Sequence, residues 1–267
     1  MQQTSSPLAA RAVIVQLNVG AWRVEKKNSA ESAAVNARHG TKDKAKVSVL
    51  ICDHPALLEI YRLHAEARKK HYRLTLPMGD NGVRLLPVAR QLEHTGMMGQ
   101  YRQQIETLLV SFLRDYPAER VAARARLNGL YVEGQWPATP EQVAEKFSFR
   151  VRYLPVPEVG QWQEWMADAA RTAHDDLTER LRTAITLVAE RLAKPDSRTF
   201  ASLTGNLAEL LALVPDLNLS ADPRLAEIAT KASALLEHDT DTLRDDPIAR
   251  ADTASKAAEL VGLFNLS

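Results

Sequence analysis

The sequence predicts an α+β protein: a small, mainly antiparallel sheet packed with long antiparallel helices, followed by a helical C-terminal region. Three observations carry that prediction. Short runs of strand character occur at 11–22, 72–87 and 147–154. One apolar stripe continues at helical spacing from Trp162 to Leu192. Of the fifteen Phe, Trp and Tyr residues, only Phe200 and Phe264 lie beyond Trp165, so the aromatic part of the chain ends where the long helices begin.

The first strand lies in Arg11–Trp22, where Val13, Val15, Leu17 and Val19 share one parity. Residues 25–46 are polar and small, with a short helix expected from Ser29 to Gly40 and lysines at 42, 44 and 46; this reads as a mobile, basic connection. A helix begins at Pro55 and runs towards His71, with Leu57, Leu58, Tyr61 and Ala65 on one face. Two apolar runs, Tyr72–Met78 and Val83–Pro87, flank Asn81-Gly82, a pair that accepts the positive φ angles of a tight hairpin turn. Leu74, Leu76 and Met78 would face inward, with Arg73 and Thr75 outward.

A helix from Met97 places Tyr101, Ile105, Leu108, Leu109, Phe112 and Tyr116 at helical spacing. Pro117 is expected to break or kink it, and a basic helix follows until Asn128-Gly129. Thr139-Pro140-Glu141-Gln142 has the order of an N-cap, a first-turn proline and a capping-box glutamine. In Phe147–Tyr153 the rings and Val151 alternate with Ser148, Arg150 and Arg152, the pattern of a strand. The stripe from Trp162 implies a helix roughly 45–50 Å long, closed by Pro195. Helices are then expected from about Ser197 to Val214, from Asp222-Pro223, and from Asp246-Pro247 to near Phe264, each Asp-Pro pair supplying a cap and a first helical residue.

Composition limits the classes of function. The 267 residues include 34 Lys and Arg against 33 Asp and Glu. Residues 1–160 carry 23 basic and 15 acidic side chains, and residues 161–267 carry 11 and 18. The charge and aromatic gradients together suggest a basic, mixed α/β region over 1–158 and an acidic, all-helical region over 159–267. A lone cysteine, Cys52, excludes an intramolecular disulfide framework and a cysteine-rich zinc module. No run approaches 18 uncharged apolar residues, and the first residues lack the basic stretch of a signal peptide. The expectation is a cytoplasmic protein without membrane contact.

Catalytic signatures are missing. There is no Walker-type phosphate loop, no dinucleotide-binding glycine motif, no H-E-x-x-H and no G-x-S-x-G. His64 and His71 with Asp53 and His54 make a poor ligand set. The acidic run at Asp239–Asp246 has Arg244 and Arg250 where a calcium loop needs glycine and glutamate. The reading is non-enzymatic, with no metal and no cofactor.

What remains is cations interleaved with rings. Arg62, Arg68, Lys69, Lys70, Tyr72, Arg73, Arg84, Arg120, Arg124, Arg150 and Arg152 fall on elements that could share a surface, with Arg126 beside them. Single-stranded nucleic acid is bound by this combination, cations following phosphates and rings stacking on bases. Tyr101, Phe112, Phe147 and Phe149 sit on apolar faces and read as core, which leaves Tyr61, Tyr72, Tyr131 and Trp136 as stacking candidates.

Three segments add a resemblance: Leu74-Thr-Leu-Pro with Gly82-Val-Arg-Leu-Leu-Pro87, Phe112-Leu-x-x-Tyr116, and Phe147-Ser-Phe-x-Val-x-Tyr-Leu-Pro-Val-Pro157. Over roughly residues 11–165 the chain resembles poorly characterised proteins encoded by tailed bacteriophages and related mobile elements, and Asn206-Leu207-x-x-Leu210 is a weaker match. The resemblance implies an accessory of DNA replication, recombination or transcription that binds single-stranded DNA in the bacterial host cytoplasm, and it brings no catalytic residue. The expected partners are single-stranded DNA and a phage or host polymerase or ATPase docked on the acidic half. The competing reading is a structural adaptor that forms a homo-oligomer or docks a partner through Trp162, Trp165 and Met166. A third is an inhibitor of a host protein.

Overall fold

A computed structural model describes residues 8–79, 82–157, 163–194 and 200–264. In chain order the elements are β1 (Ala12–Gly20), β2 (Glu25–Asn28), α1 (Ser29–Arg38), β3 (Val47–Leu50), α2 (Pro55–Leu74), β4 (Leu76–Pro77), β5 (Val83–Pro87), α3 (Gln91–Leu127), α4 (Pro140–Ala144), β6 (Ser148–Pro155), α5 (Gln163–Leu192), α6 (Phe200–Leu217), α7 (Pro223–Ser233), α8 (Thr240–Asp245) and α9 (Pro247–Leu263). Four strands form a sheet in the order β4-β5-β1-β6, and β2 and β3 form a separate antiparallel ribbon. The protein is α+β.

The three expected strand regions are the strands of the main sheet. Antiparallel pairing sets Ala12 opposite Pro87, Ile14 opposite Leu85 and Leu76 opposite Leu85. Gly82 has φ +71°, as the turn requires, while Asn81, Trp162 and Pro195 lie outside the described residues. Two details differ. Tyr72–Leu74 belongs to α2, because the helix continues one turn past His71. Thr75 is buried and does not face outward: its Oγ1 donates to the carbonyl of His71 at 2.7 Å and accepts from Arg84 Nε at 2.6 Å.

α3 also departs from expectation. It starts at Gln91 and passes through Pro117 unbroken. Proline in a helix interior costs about 3 kcal/mol or more. Here Phe112 and Tyr116 on one side of it and Ala123 on the other are buried in one apolar cluster, which holds both halves in line. Asn128, with φ +47°, ends the helix where expected. The local caps follow the sequence: Thr139 Oγ1 accepts from Gln142 N, Asp222 Oδ1 from Arg224 N, and Asp246 Oδ1 from Ile248 N and Ala249 N. Asp239, in the acidic run, caps α8 by accepting from Thr242 N.

Contacts divide the chain into two compact units that do not follow the sequential halves. One comprises residues up to 16, 71–94 and from 152 onward; the other comprises 17–70 and 95–151. A boundary at 158 is therefore not where compactness divides the chain, because β1, α2, α3 and β6 each run through a unit limit. By sequence the first unit has 16 Lys and Arg against 21 Asp and Glu, and the second 18 against 12. We call them the acidic and the basic unit.

The acidic unit has an aliphatic core. Ile185, Val188 and Leu192 of α5 are buried with Leu203 and Leu207 of α6, Ile228 and Ala232 of α7, Leu243 of α8, and Ala257 and Leu260 of α9. The expected α5 stripe is buried from Met166 to Leu192, although Trp165 remains 38% exposed. The basic unit has an aromatic core: Trp22 meets Phe112, Tyr116 and Trp136 with ring centroids 5.3–6.4 Å apart, surrounded by Ile51, Leu57 and Val143. Cys52 is buried there, its thiol pushed up to about 12 chiefly by burial, and is no reactive group. Among the described residues no helix is long and apolar enough to cross a membrane.

Candidate nucleic-acid interface

The eleven candidates fall into both units. Arg62, Arg68, Lys69, Lys70, Arg120, Arg124 and Arg150 belong to the basic unit; Tyr72, Arg73, Arg84 and Arg152 belong to the acidic one.

In the basic unit most of the arginines already have partners. Arg62 pairs with Glu59 one turn before it and Glu66 one turn after it. Arg120 pairs with Glu133 and donates to the carbonyl of Ala138 at 3.1 Å. Arg124 lies 5.5 Å from the centre of the Tyr131 ring and 3.9 Å from the same Glu133. These last two are brought together with Tyr116, Pro117 and Tyr131 around a cavity of about 360 Å³, whose charge Glu133 partly cancels. Arg126 bridges Asp53 at 2.8 Å and Glu119 at 2.9 Å. Arg68 reaches β1 and donates to the carbonyl of Val19 at 3.2 Å. Lys69 and Arg150 are exposed and Lys70 half-buried, and none of the three has an ion-pair partner among the described residues.

In the acidic unit Arg73 pairs with Glu209, 136 positions away. Arg84 is enclosed. Besides its bond to the Thr75 hydroxyl it donates to the Thr75 carbonyl at 3.0 Å, and it stacks over Tyr72 at 4.7 Å. Arg180 of α5 donates to that same carbonyl at 3.0 Å and pairs with Asp176 at 2.7 Å. Two guanidinium groups therefore close the C-terminal end of α2, where the unbonded carbonyls and the negative end of the helix dipole lie. Burial, and then the neighbouring Arg180, hold the Arg84 pKa below its ordinary value. Arg84 is a structural cation. Arg152 is exposed on β6 without a carboxylate partner among the described residues.

The rings divide in the same way. Trp136 is 4% exposed and belongs to the core, stacked on Tyr131 with centroids 5.9 Å apart, so it is not a stacking platform. Tyr61 is half-buried, donates its hydroxyl to the carbonyl of Trp22, and is pushed up to about 12 by burial. Tyr72 is 48% exposed, but Arg84 covers one of its faces. Tyr131 keeps a half-buried face beside Arg124. Phosphate contact is better provided for than base stacking.

Five of the lysines without ion-pair partners among the described residues lie where a mobile connection is expected. The stretch 25–50 is built as β2, α1 and β3, with Glu25 opposite Leu50 and Asn28 opposite Val47. Asn28 caps α1 by accepting from Glu31 N at 3.0 Å. Ser32 Oγ donates to the Asn28 carbonyl at 2.6 Å and accepts from Val47 N at 2.9 Å. The signals were present in the sequence: Asn28 with Glu31 is a capping pair, and Val47, Val49 and Ile51 alternate. Lys26, Lys27, Lys42, Lys44 and Lys46 lie on this lobe. The basic unit contains eight lysines, counting Lys69, Lys70 and Lys146, and none forms an ion pair among the described residues.

Among the described residues no cluster of three His, Cys, Asp or Glu side chains could hold a metal ion. No protein-family profile, no curated protein and no solved structure matches the chain.

Proposed function

We propose that this protein is a non-enzymatic accessory of DNA metabolism that binds single-stranded DNA through the phosphates, using the lysines of its basic unit. The observation that supports this reading is the set of eight lysines without carboxylate partners among the described residues, on a unit with 18 basic and 12 acidic side chains. Cations left without partners on one body repel each other and stabilise a bound polyanion by releasing its counterions. Lysine is suited to this role because its ammonium is a compact, well-hydrated point charge that takes phosphates in many geometries, whereas most arginines of this unit, Arg62, Arg120 and Arg126 among them, are held by carboxylates or carbonyls. The acidic unit, with 16 basic and 21 acidic side chains, directs DNA to the other.

Fluorescence anisotropy of a 3′-labelled oligonucleotide tests this at low and at moderate salt. The logarithm of the binding constant should fall linearly with that of salt, by about 0.7 per phosphate neutralised on a single strand. Absence of binding at low salt ends the proposal.

A further inference from the structure

We infer that the β2–α1–β3 lobe holds a pocket for a terminal phosphate, that is, a phosphate monoester; this rests on the nucleic-acid reading only for the source of the phosphate. A concavity of about 560 Å³ is lined by Lys27 of β2, by Ser29, Ser32 and Asn36 of α1, and by Thr41, Lys42, Asp43 and Lys46 of the connection that follows. Its volume lies in the range of small-ligand sites. Its walls differ from those of ordinary sites: three ammonium groups and several hydroxyl groups, with only alanines (33, 37 and 45) as apolar lining.

The shape of this pocket is set by one residue. Asn36 is 8% exposed. Its Oδ1 accepts from Thr41 Oγ1 at 3.0 Å, Lys44 N at 3.0 Å and Ala45 N at 2.9 Å, and its Nδ2 donates to the carbonyls of Ser32 at 2.7 Å and Ala45 at 2.9 Å. Gly40, at φ +61°, turns the chain out of α1, and Asp43, at φ +56°, turns it back. A non-glycine residue there is uncommon, Asp being among the side chains that tolerate it. A lysine-rich sequence that would otherwise be solvated and mobile is thus wrapped around a buried amide. Lys42 and Lys46 are held on the same concavity as Lys27, with no carboxylate bridging any of the three among the described residues.

The charge and the concavity together favour a monoester. Three lysines and Asp43 give the lining a formal +2, which matches a phosphate monoester of charge about −1.5 to −2 at neutral pH. An internal diester carries a single charge and continues on both sides, so it lies along a groove and does not enter a pocket. The chemistry is shared by the 5′-phosphorylated end of a strand and by a small phosphorylated metabolite, and the experiment separates the two.

Anisotropy would compare two 3′-labelled single strands, one with a 5′-phosphate and one with a 5′-hydroxyl and two additional nucleotides, so that its charge is no smaller, on the wild-type chain and on Lys27→Gln/Lys42→Gln/Lys46→Gln. These lysines are exposed, and circular dichroism would verify the fold. The expected result is about tenfold tighter binding of the 5′-phosphorylated strand, the gain of one charge-assisted hydrogen bond, abolished in the variant. Equal affinity of the wild type for both strands, with no rise in melting temperature from inorganic phosphate or ribose 5-phosphate at constant ionic strength, overturns the pocket and leaves the nucleic-acid reading standing. If neither strand binds, inorganic phosphate and ribose 5-phosphate decide at constant ionic strength. A rise in melting temperature in the wild type and not in the variant establishes the pocket with a small ester as its ligand and removes the nucleic-acid reading. No rise overturns both.

Discussion

The two units use their cations in opposite ways. In the acidic unit, arginines join segments that are distant in the chain: Arg11 donates to the carbonyl of Leu219 at 3.1 Å, Arg73 pairs with Glu209, and Arg90 pairs with Asp216 at 2.6 Å. It has three lysines, two of which are in pairs one helical turn apart, Lys231 with Glu227 and Lys256 with Asp252. The basic unit has eight, all without such partners among the described residues. The difference is one of residue type before it is one of net charge. A guanidinium group offers five donors in a fixed fork and is readily held by a carboxylate or a carbonyl; an ammonium group on a flexible stem is not. A count of basic residues therefore overstates the surface open to a polyanion, and a count of lysines comes closer.

The largest expected effects come from the cores, which differ as much as the surfaces. Phe112→Ala removes a fully buried ring that meets Trp22 and Tyr116, and should cost about 3–5 kcal/mol. Ile185→Ala, in the aliphatic core of the acidic unit, should cost about 2–4 kcal/mol, because a smaller side chain leaves a smaller cavity. Urea unfolding measures both, with tryptophan fluorescence reporting on the basic unit through Trp22 and Trp136. A smaller loss for Phe112→Ala than for Ile185→Ala would show that the ring cluster closes over its gap.

Acid should act next, and chiefly through the acidic unit. His71 Nδ1 and His94 Nε2 share a hydrogen bond at 2.9 Å, and His94 Nδ1 is 2.8 Å from the hydroxyl of Tyr153. The two rings are 2% and 0% exposed. Burial lowers His71 to about 3, helped by His94 and Arg84, and lowers His94 to about 4 against the opposing influence of Glu93. Both are neutral in the folded protein, while in the unfolded chain they take up protons from about pH 6.5 downward. Stability is therefore intact above that pH and falls as the pH drops towards 4. For the pair the loss should be on the order of 3 kcal/mol by about pH 5.5. The basic unit has one such ring, His64, lowered to about 4 mainly by burial. Urea midpoints at neutral and acid pH measure the loss, and the double variant His71→Gln/His94→Gln should reduce it about twice as much as His64→Gln does. An equal reduction would place the acid sensitivity elsewhere.

Much of the fold was legible because its signals are local. Alternation marked β1 and β6, the apolar runs around Asn81-Gly82 marked β5, the Asp-Pro pairs marked the starts of α7 and α9, and the stripe from Met166 to Leu192 marked α5. What could not be read depends on residues far apart in sequence. Nothing near Pro117 announces that Phe112 and Ala123 enter the same core. Nothing near Arg73 announces Glu209, nor anything near Thr75 the two arginines that converge on it. The surface suffered more than the fold for that reason. Several of the candidate cations, Arg62, Arg73, Arg84 and Arg120 among them, have partners that decide their role. The lysine lobe was hidden for the converse reason, since a polar, lysine-rich stretch looks solvated until Asn36 is seen to gather it.

The contrast between arginine and lysine can be tested directly. Arg90→Gln in the acidic unit breaks its pairs with Asp216 and Glu93 and should cost about 1 kcal/mol of stability while leaving DNA affinity unchanged. Lys69→Glu/Lys70→Glu in the basic unit should do the reverse, weakening oligonucleotide binding about tenfold with little change in the urea midpoint. Arg62→Gln is the informative control. Its charge is already met by Glu59 and Glu66, so its removal should alter affinity far less than the lysine reversals do. Equal losses of affinity for Arg62→Gln and the lysine pair would mean that ion pairing does not withdraw a cation from the surface, and the distinction between the two residue types would fail.

The smallest effect separates the pocket from the surface around it. Asp43 is the one carboxylate among the described residues that line the pocket, and it sits at φ +56°, a conformation that asparagine tolerates equally well. Asp43→Asn therefore keeps the backbone and removes one negative charge, changing the formal charge of the lining from +2 to +3. An exposed charge interaction is worth at most about 1 kcal/mol, so the affinity for a 5′-phosphorylated strand should rise about two- to fivefold. The 5′-hydroxyl strand should gain less, because its phosphates do not enter the concavity. A uniform gain for both strands would identify Asp43 as part of the general field of the basic unit, while a selective gain locates the terminal phosphate beside it.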